Sequence, residues 1–257
     1  MITKPVIGAQ LYTLREYEKT MPEIAKTLKK VAAIGYKTVQ ISGFGVADPK
    51  DVAKAADDAG LQIVSTHTNW LRFLKELDEV IAEHKLWNCA HPAIGGLPGD
   101  YFCQDGIKKF LDELFPVAEK LQKEGMDFSY HNHSHELAKY GKTTWLASIY
   151  DNSVPAVLKA EIDTYWITAG GGDPADWVKR CSGRIPLLHC KDMIVTKERE
   201  QRFSEVGEGN LNWNAILKQA ECSGVEYLLV EQDNCYGRDP FESLATSYKN
   251  LASWGYK

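Results

Sequence analysis

Eight times along this chain a short apolar run is followed by a longer stretch with helical periodicity, and that alternation limits the fold more than any single motif does. The apolar runs are PVIGAQLY, YKTVQISG, LQIVSTHTN, WNCAHPAIGG, MDFSYHNH, AVLKAEIDTYW, RIPLLHCKD and YLLVEQDN. Between them lie amphipathic segments. In MPEIAKTLKKVAAIG the apolar residues Ile24, Leu28, Val31 and Ile34 recur at helical spacing and Gly35 marks the stop. DPKDVAKAADDAG opens on Asp48 and Pro49 as cap and first-turn residue and closes on Gly60. FLKELDEVIAEHK, GIKKFLDELFPVAEKLQKEG, DPADWVKRCSG, NWNAILKQAECSG and FESLATSYKNLASWG complete the set, and only the fifth connection looks irregular. Strands alternating with helices predict a parallel sheet. Eight units in 257 residues fit a closed (β/α)8 TIM barrel, one domain over residues 1–257, better than an open doubly wound sheet. The dinucleotide fingerprint GxGxxG is absent after the first strand, and GFGVAD after the second lacks its third glycine.

Composition narrows the function. With 44% hydrophobic and 25% charged residues the chain can bury a sizeable core. A net charge of -5 argues against a nucleic-acid surface. No run approaches the roughly 18 apolar residues of a membrane span. The start, MITKPVIGAQLY, lacks the pattern of a signal peptide. The six cysteines show no CxxC and read as free thiols, so the expected compartment is the reducing cytoplasm.

In such a barrel the active site lies where strands end, and polar residues gather there. Gln10 closes strand one; Gln40 and Ser42, strand two; His67 and Asn69, strand three. His131, Asn132 and His133 close strand five. Asp163 closes strand six, with Glu161 on the same inward face. His189, Lys191 and Asp192 close strand seven, and Glu231 and Asp233 close strand eight. Any one of these could be a satisfied core residue. A ring of carboxylates and imidazoles at one mouth is costly without a cation. One divalent ion removes that cost, and the mixed donor set suits Mn, Zn, Co or Fe ahead of Mg.

At EIDTYW, LHCKD, VGEGNLNW and VEQD the chain resembles the xylose-isomerase-like barrels, the superfamily of sugar phosphate isomerases/epimerases that also contains type IV apurinic endonuclease. The resemblance covers essentially the whole chain. It implies one metal held by Asp163, His189 and Glu231, with His131 where the family commonly has a glutamate. Glu161 is the alternative ligand or a support for one. It further implies that Glu231 removes a proton beside a carbonyl, that His131 or His133 is its partner, and that Lys191 binds a substrate oxygen or steadies developing negative charge. The competing role for Lys191 is a salt bridge to Asp192 or Glu161. The endonuclease's metal-binding histidine three residues after the strand-six aspartate is Trp166 here, and the further ligands are missing from QRFSEVGEG, so a three-metal DNA site is not expected.

Gln10, His67, Glu161 and Trp166 are the expected substrate contacts. Trp70, Trp166 and Trp213 fall near loops that would rim the mouth, with Trp213 read as packing and Trp166 as a sugar-stacking face. TAGGGDP reads as a tight turn capped by Asp173 rather than an anion nest, and Glu205 and Glu208 in the next loop would repel a phosphate, so a neutral sugar or polyol derivative is favoured. His135 and Glu136 stay unassigned. The expected activity is metal-dependent isomerisation or epimerisation of a sugar. A lyase or dehydratase on a keto-sugar, 3-keto-glycoside or dehydroshikimate-like substrate is the alternative, and a catalytically decayed carbohydrate-binding barrel comes third. Barrels of this type often pair into homo-oligomers.

Overall fold

The computed structural model describes residues 4–257. Eight parallel strands close into one barrel: β1 (Val6–Gln10), β2 (Thr38–Ile41), β3 (Gln62–His67), β4 (His91–Ile94), β5 (Ser129–His131), β6 (Lys159–Asp163), β7 (Leu187–Cys190) and β8 (Tyr227–Val230). Each strand neighbours the next in sequence, and β8 returns to β1, with Val6 to Ala9 in register with Tyr227 to Val230. Inside the barrel Val64, Leu187 and Leu229 form a small apolar layer. Gly8 is required there, because a Cβ on it would stand 2.7 Å from the Leu229 side chain.

The outer helices are α1 (Met21–Ile34), α2 (Pro49–Ala59), α3 (Trp70–Lys75), α4 (Leu77–Leu86), α5 (Gln104–Lys123), α6 (Trp145–Asp151), α7 (Thr164–Ala169), α8 (Pro174–Arg180), α9 (Trp213–Ser223) and α10 (Pro240–Ser253). Their ends follow the sequence signals. Asp48 accepts from the Lys50 amide at the start of α2, and Gly60 takes the left-handed conformation at its end. Asp173 caps α8 through the Asp176 amide, as the turn reading of TAGGGDP requires.

Three boundaries depart from the sequence reading. The expected single helix FLKELDEVIAEHK is two, since Glu76 leaves helical geometry at φ −134, ψ 36, and α3 starts earlier, on the cap Asn69. The sixth strand stops at Asp163 instead of running on to Trp166: the Asp163 side chain accepts from the Trp166 amide and starts α7 at once. The seventh stops at Cys190, and an antiparallel hairpin (Asp192–Val195 with Gln201–Ser204) rises beyond it. The irregular fifth connection holds a 3-10 turn (His135–Leu137), a short hairpin and α6. No disulfide joins the six cysteines. Among the described residues no helix is long and apolar enough to cross a membrane.

Candidate metal centre and active site

Seven strands deliver a polar side chain to the carboxyl end of the barrel, and the eighth delivers space. At the end of β4 a Cβ on Gly95 would stand 2.9 Å from His67 Nδ1, so a larger residue would displace that imidazole. The mouth opens into a cavity of about 830 Å³ lined by Gln10, His67, His131, His133, Trp166, Lys191, Glu231 and Asp233, with Tyr12, Leu71 and Leu97 farther out.

At its floor His131, Asp163, His189 and Glu231 bring one ligand atom each within 4.8 Å of the others, all buried. Local structure aims them. Asp163 gives Oδ1 to the α7 cap, which fixes its rotamer and leaves Oδ2 pointing into the cluster, 3.1 Å from His131 Nε2. Its own amide donates to Asn132 Oδ1, tying β6 to the turn after β5. His189 is oriented from behind. Gln40 Nε2 donates to Glu161 Oε1 (2.6 Å) and Ser65 Oγ (2.8 Å), which leaves Gln40 Oε1 as the acceptor for His189 Nε2 at 2.7 Å. The Nε2 proton is thereby fixed, and Nδ1 faces the cluster, 2.9 Å from Glu231 Oε2.

These residues fit a divalent ion. His189 Nδ1 and Glu231 Oε2 lie 2.9 Å apart, Glu231 Oε2 also meets the Lys191 ammonium at 2.8 Å, and His131 Nε2 meets Asp163, so the converging donors are held only by one another and by Lys191, contacts that a divalent ion at their centre would replace. A second group, His67, Glu161 and His189, also converges. Its contacts are already used, since His67 Nε2 donates to Glu161 Oε2 at 2.7 Å and Gln40 occupies the rest. The first group is therefore the better candidate for the ion, and Glu161 sits behind His189 as an orienting carboxylate.

The charge balance agrees. Burial would strip His189 of its proton, yet Glu161, Asp163 and Glu231 hold it well above the ordinary range. Burial also opposes ionisation of Asp163 and Glu231, but Lys191 and the imidazoles hold both well below the usual carboxylate range. A divalent cation would take over that neutralisation and free Nδ1. His131 is pushed down to about 4 by burial and by His189, and His133 to about 3 by burial and by His131, so both imidazoles are neutral. Neutral imidazole is the form that binds metal or accepts a proton.

Lys191 pairs with neither Asp192 nor Glu161, the partners its salt-bridge reading named. Its ammonium lies 2.8 Å from Glu231, 3.0 Å from Asp233 and 3.1 Å from Asp163, and although burial disfavours the charge, these three carboxylates keep it. Asp192 points outward and accepts from the amides of Gly207, Gly209 and Leu211 and from Trp213 Nε1. Trp213 is packing, as expected. Trp70 lines the cavity, as its place near the mouth implied, but its ring is buried against Phe73, Phe110 and Phe128, with Nε1 donating to the Tyr101 hydroxyl. Trp166 does face the cavity, its Nε1 buried and unpartnered. His135 is half exposed at the rim, 5.7 Å from the His133 ring, while Glu136 turns inward to accept from the Tyr130 hydroxyl and the His133 amide.

Two participants had no role in the sequence reading beyond their place at strand ends. Gln40 fixes the His189 tautomer. Asp233 is raised to about 7, first by burial and then by Glu231, against the pull of Lys191. The signal for Asp233 was its position two residues past Glu231, but its protonation depends on burial and on the balance between Glu231 and Lys191, which only the fold sets.

Fold and cluster together define a (β/α)8 barrel with a His/Asp/Glu site at its mouth able to hold a divalent metal. The chain belongs to the xylose isomerase-like TIM barrel family, whose model matches residues 28–252. Among solved structures, a sugar phosphate isomerase/epimerase from Parabacteroides distasonis superposes with a TM-score of 0.79 at 27% identity, covering 98% of this chain and 95% of that one. A second from the same organism gives 0.80 at 24% identity, covering 97% and 98%. Among curated proteins, an inosose dehydratase of Bacillus anthracis is 25% identical over 158 aligned positions, 55% of this chain and 52% of the relative. The chain thus spans about half the length of the curated relatives it matches.

Proposed function

We propose that this protein is a divalent-metal-dependent sugar isomerase or epimerase that moves a proton on a carbon next to a carbonyl. The observation that carries the reading is the buried cluster of His131, Asp163, His189 and Glu231, whose ligand atoms lie within 4.8 Å of one another at the cavity floor. Two imidazoles with two carboxylates suit Mn, Zn, Co or Fe better than Mg. An ion held by His131, Asp163, His189 and Glu231 would supply Lewis-acid polarisation of a substrate carbonyl. Glu231 takes the proton from the carbon. Lys191, ionised and 2.8 Å from Glu231, steadies negative charge as it develops on substrate oxygen. His131 is committed to Asp163 and the cluster. His133, neutral with Nδ1 free, is then the group placed to exchange a proton from the imidazole side. Gln10, His67 and Trp166 contact the sugar, and Glu161 acts through His67 and His189.

A lyase or dehydratase is the second reading, and Asp233 favours it. Raised to about 7 beside Lys191, Asp233 is a carboxylic acid available near neutrality to protonate a leaving oxygen. The inosose dehydratase relative points the same way. The test is solvent-proton exchange: Mn²⁺-loaded protein is incubated in D₂O with ketohexoses and inososes and followed by NMR. Deuterium at the carbon beside the carbonyl supports either reading. A new stereoisomer identifies the epimerase and loss of water identifies the lyase. No deuterium into any of them, with metal bound, contradicts both.

A further inference from the structure

Trp166 presents an unpartnered, buried indole N–H beside the cavity, and the protein spends an elaborate piece of backbone on holding that ring. Behind it, Phe203 stacks on Tyr165 at 4.0 Å with 25° between planes, and meets the Trp166 ring edge-on at 5.6 Å. Tyr165 in turn packs perpendicular to Trp166 at 4.9 Å. Phe203 arrives from the hairpin after β7, a segment outside the barrel that needs an anchor of its own. The loop after β8 supplies two. Arg238 pairs with Glu205 at 2.9 Å, just past the hairpin. The Tyr236 hydroxyl accepts from the Phe203 amide at 3.3 Å, and its ring lies under the Arg202 guanidinium at 5.0 Å.

Tyr236 reaches that position only by adopting φ +50, a left-handed conformation uncommon for a side chain of its size. Asn234 holds it there, its Oδ1 accepting from the Tyr236 amide at 2.7 Å. Strained backbone persists where its surroundings require it, and often marks a functional constraint. Here the strain serves one contact chain: Asn234 sets Tyr236, Tyr236 fastens Phe203, and Phe203 with Tyr165 wedges Trp166 against the cavity.

We propose that Tyr236 and Phe203 are positioning residues that fix the orientation of the Trp166 indole toward a hydroxyl-bearing ring in the cavity, so that the loops after β7 and β8 together set selectivity for the sugar. The proposal rests on the reading of the cavity as a sugar site. Neither residue belongs to the metal cluster, and only Phe203 comes near a catalytic group, its ring 6.0 Å from the Lys191 ammonium, so weaker substrate binding with chemistry intact is the signature expected of Tyr236→Phe.

The experiment uses the full chain loaded with Mn²⁺ or, for NMR, a diamagnetic Zn²⁺ equivalent. Tyr236→Phe and Phe203→Leu are compared with wild type and with Trp166→Phe. With ¹⁵N-indole labelling, the resonance lost in Trp166→Phe identifies Trp166. We expect that resonance to shift and broaden in Tyr236→Phe and Phe203→Leu, with metal content unchanged. We expect hydrogen exchange over 201–204 to quicken about fivefold in Tyr236→Phe, the loss of one modest hydrogen bond. With D-allulose or an inosose as probe, KM should rise about fivefold at unchanged kcat, and the Trp166→Phe/Tyr236→Phe pair should be no worse than Trp166→Phe alone. An unmoved Trp166 resonance, or KM effects that add across the pair, would overturn the proposal. If neither sugar reacts, the proposed activity fails on these probes, and the indole resonance still decides the positioning role.

Discussion

The two ends of the barrel are built from the same residue types and behave in opposite ways. At the amino end His91, entering β4, holds Asp127 at 2.9 Å and reaches Glu226 at 3.8 Å, the latter just before β8 on the far side of the ring. Burial would lower the His91 pKa, but the two carboxylates raise it to about 9, so an imidazolium closes that end. At the carboxyl end His131, His189, Asp163 and Glu231 are more deeply buried and bring four ligand atoms within 4.8 Å of one another. The same chemistry is a structural plug where one imidazolium bridges two carboxylates and a candidate centre where two imidazoles and two carboxylates converge. Residue type alone does not separate the two; the convergence of ligand atoms does.

That contrast predicts what substitutions should do. The largest effect belongs to Glu231→Gln, which keeps the shape but removes the base and a metal ligand: deuterium exchange into a reactive keto-sugar should fall on the order of 10³-fold, with a lower melting temperature because Lys191 and His189 lose a buried partner. Metal removal comes next. Dialysis against a chelator should destabilise the protein, and restoring the ion at about 100 times its dissociation constant should recover roughly 2.7 kcal/mol by mass action, read as a shift in urea midpoint. His91→Asn, which leaves the cluster intact, should show the same metal-linked shift as wild type. Glu161→Gln, which weakens the support behind His189, should lower metal affinity about 10- to 100-fold without abolishing it, measured by competition with a chromogenic chelator.

The smallest effect lies at the floor. The folded His91 pKa is above its unfolded value of about 6.5, so its stabilisation is fully present below that pH and is lost as pH rises through about 9. With Glu226 half exposed, roughly 1–2 kcal/mol is expected. Wild type should lose that much between pH 6.5 and 10 in urea titrations, and His91→Asn should show a flatter profile over the same range.

The sequence made the barrel legible because its two periodicities, short apolar runs and helical faces, are local properties. The four cluster residues were legible as polar residues at strand ends, which converge in this fold, and the resemblance to the family singled them out from the rest of that ring. The two-residue alternation correctly put Glu161 and Asp163 on one face, but whether Glu161 met the ion or stood behind His189 depended on Gln40, 121 residues away in sequence. The three partners of Lys191 came from two other strand ends, where no local pattern reports. Trp70 lines the cavity, as its place after β3 suggested, but α3 starts immediately and packs its ring inward. Asp163 shows why the end of a strand is hard to read: one oxygen starts a helix while the other serves the site, and the capping signal was hidden in a residue already read as a ligand.

The central claim is that the carboxyl end of the barrel is completed by one divalent ion and that the YHNH turn supplies part of its coordination. Elemental analysis of purified wild type and His131→Ala, prepared without chelator, tests it most directly. The account predicts about one Mn, Zn, Co or Fe per wild-type chain and loss of that ion in the variant, with the barrel still folded by circular dichroism. A wild type that binds no divalent ion even when one is supplied would contradict it.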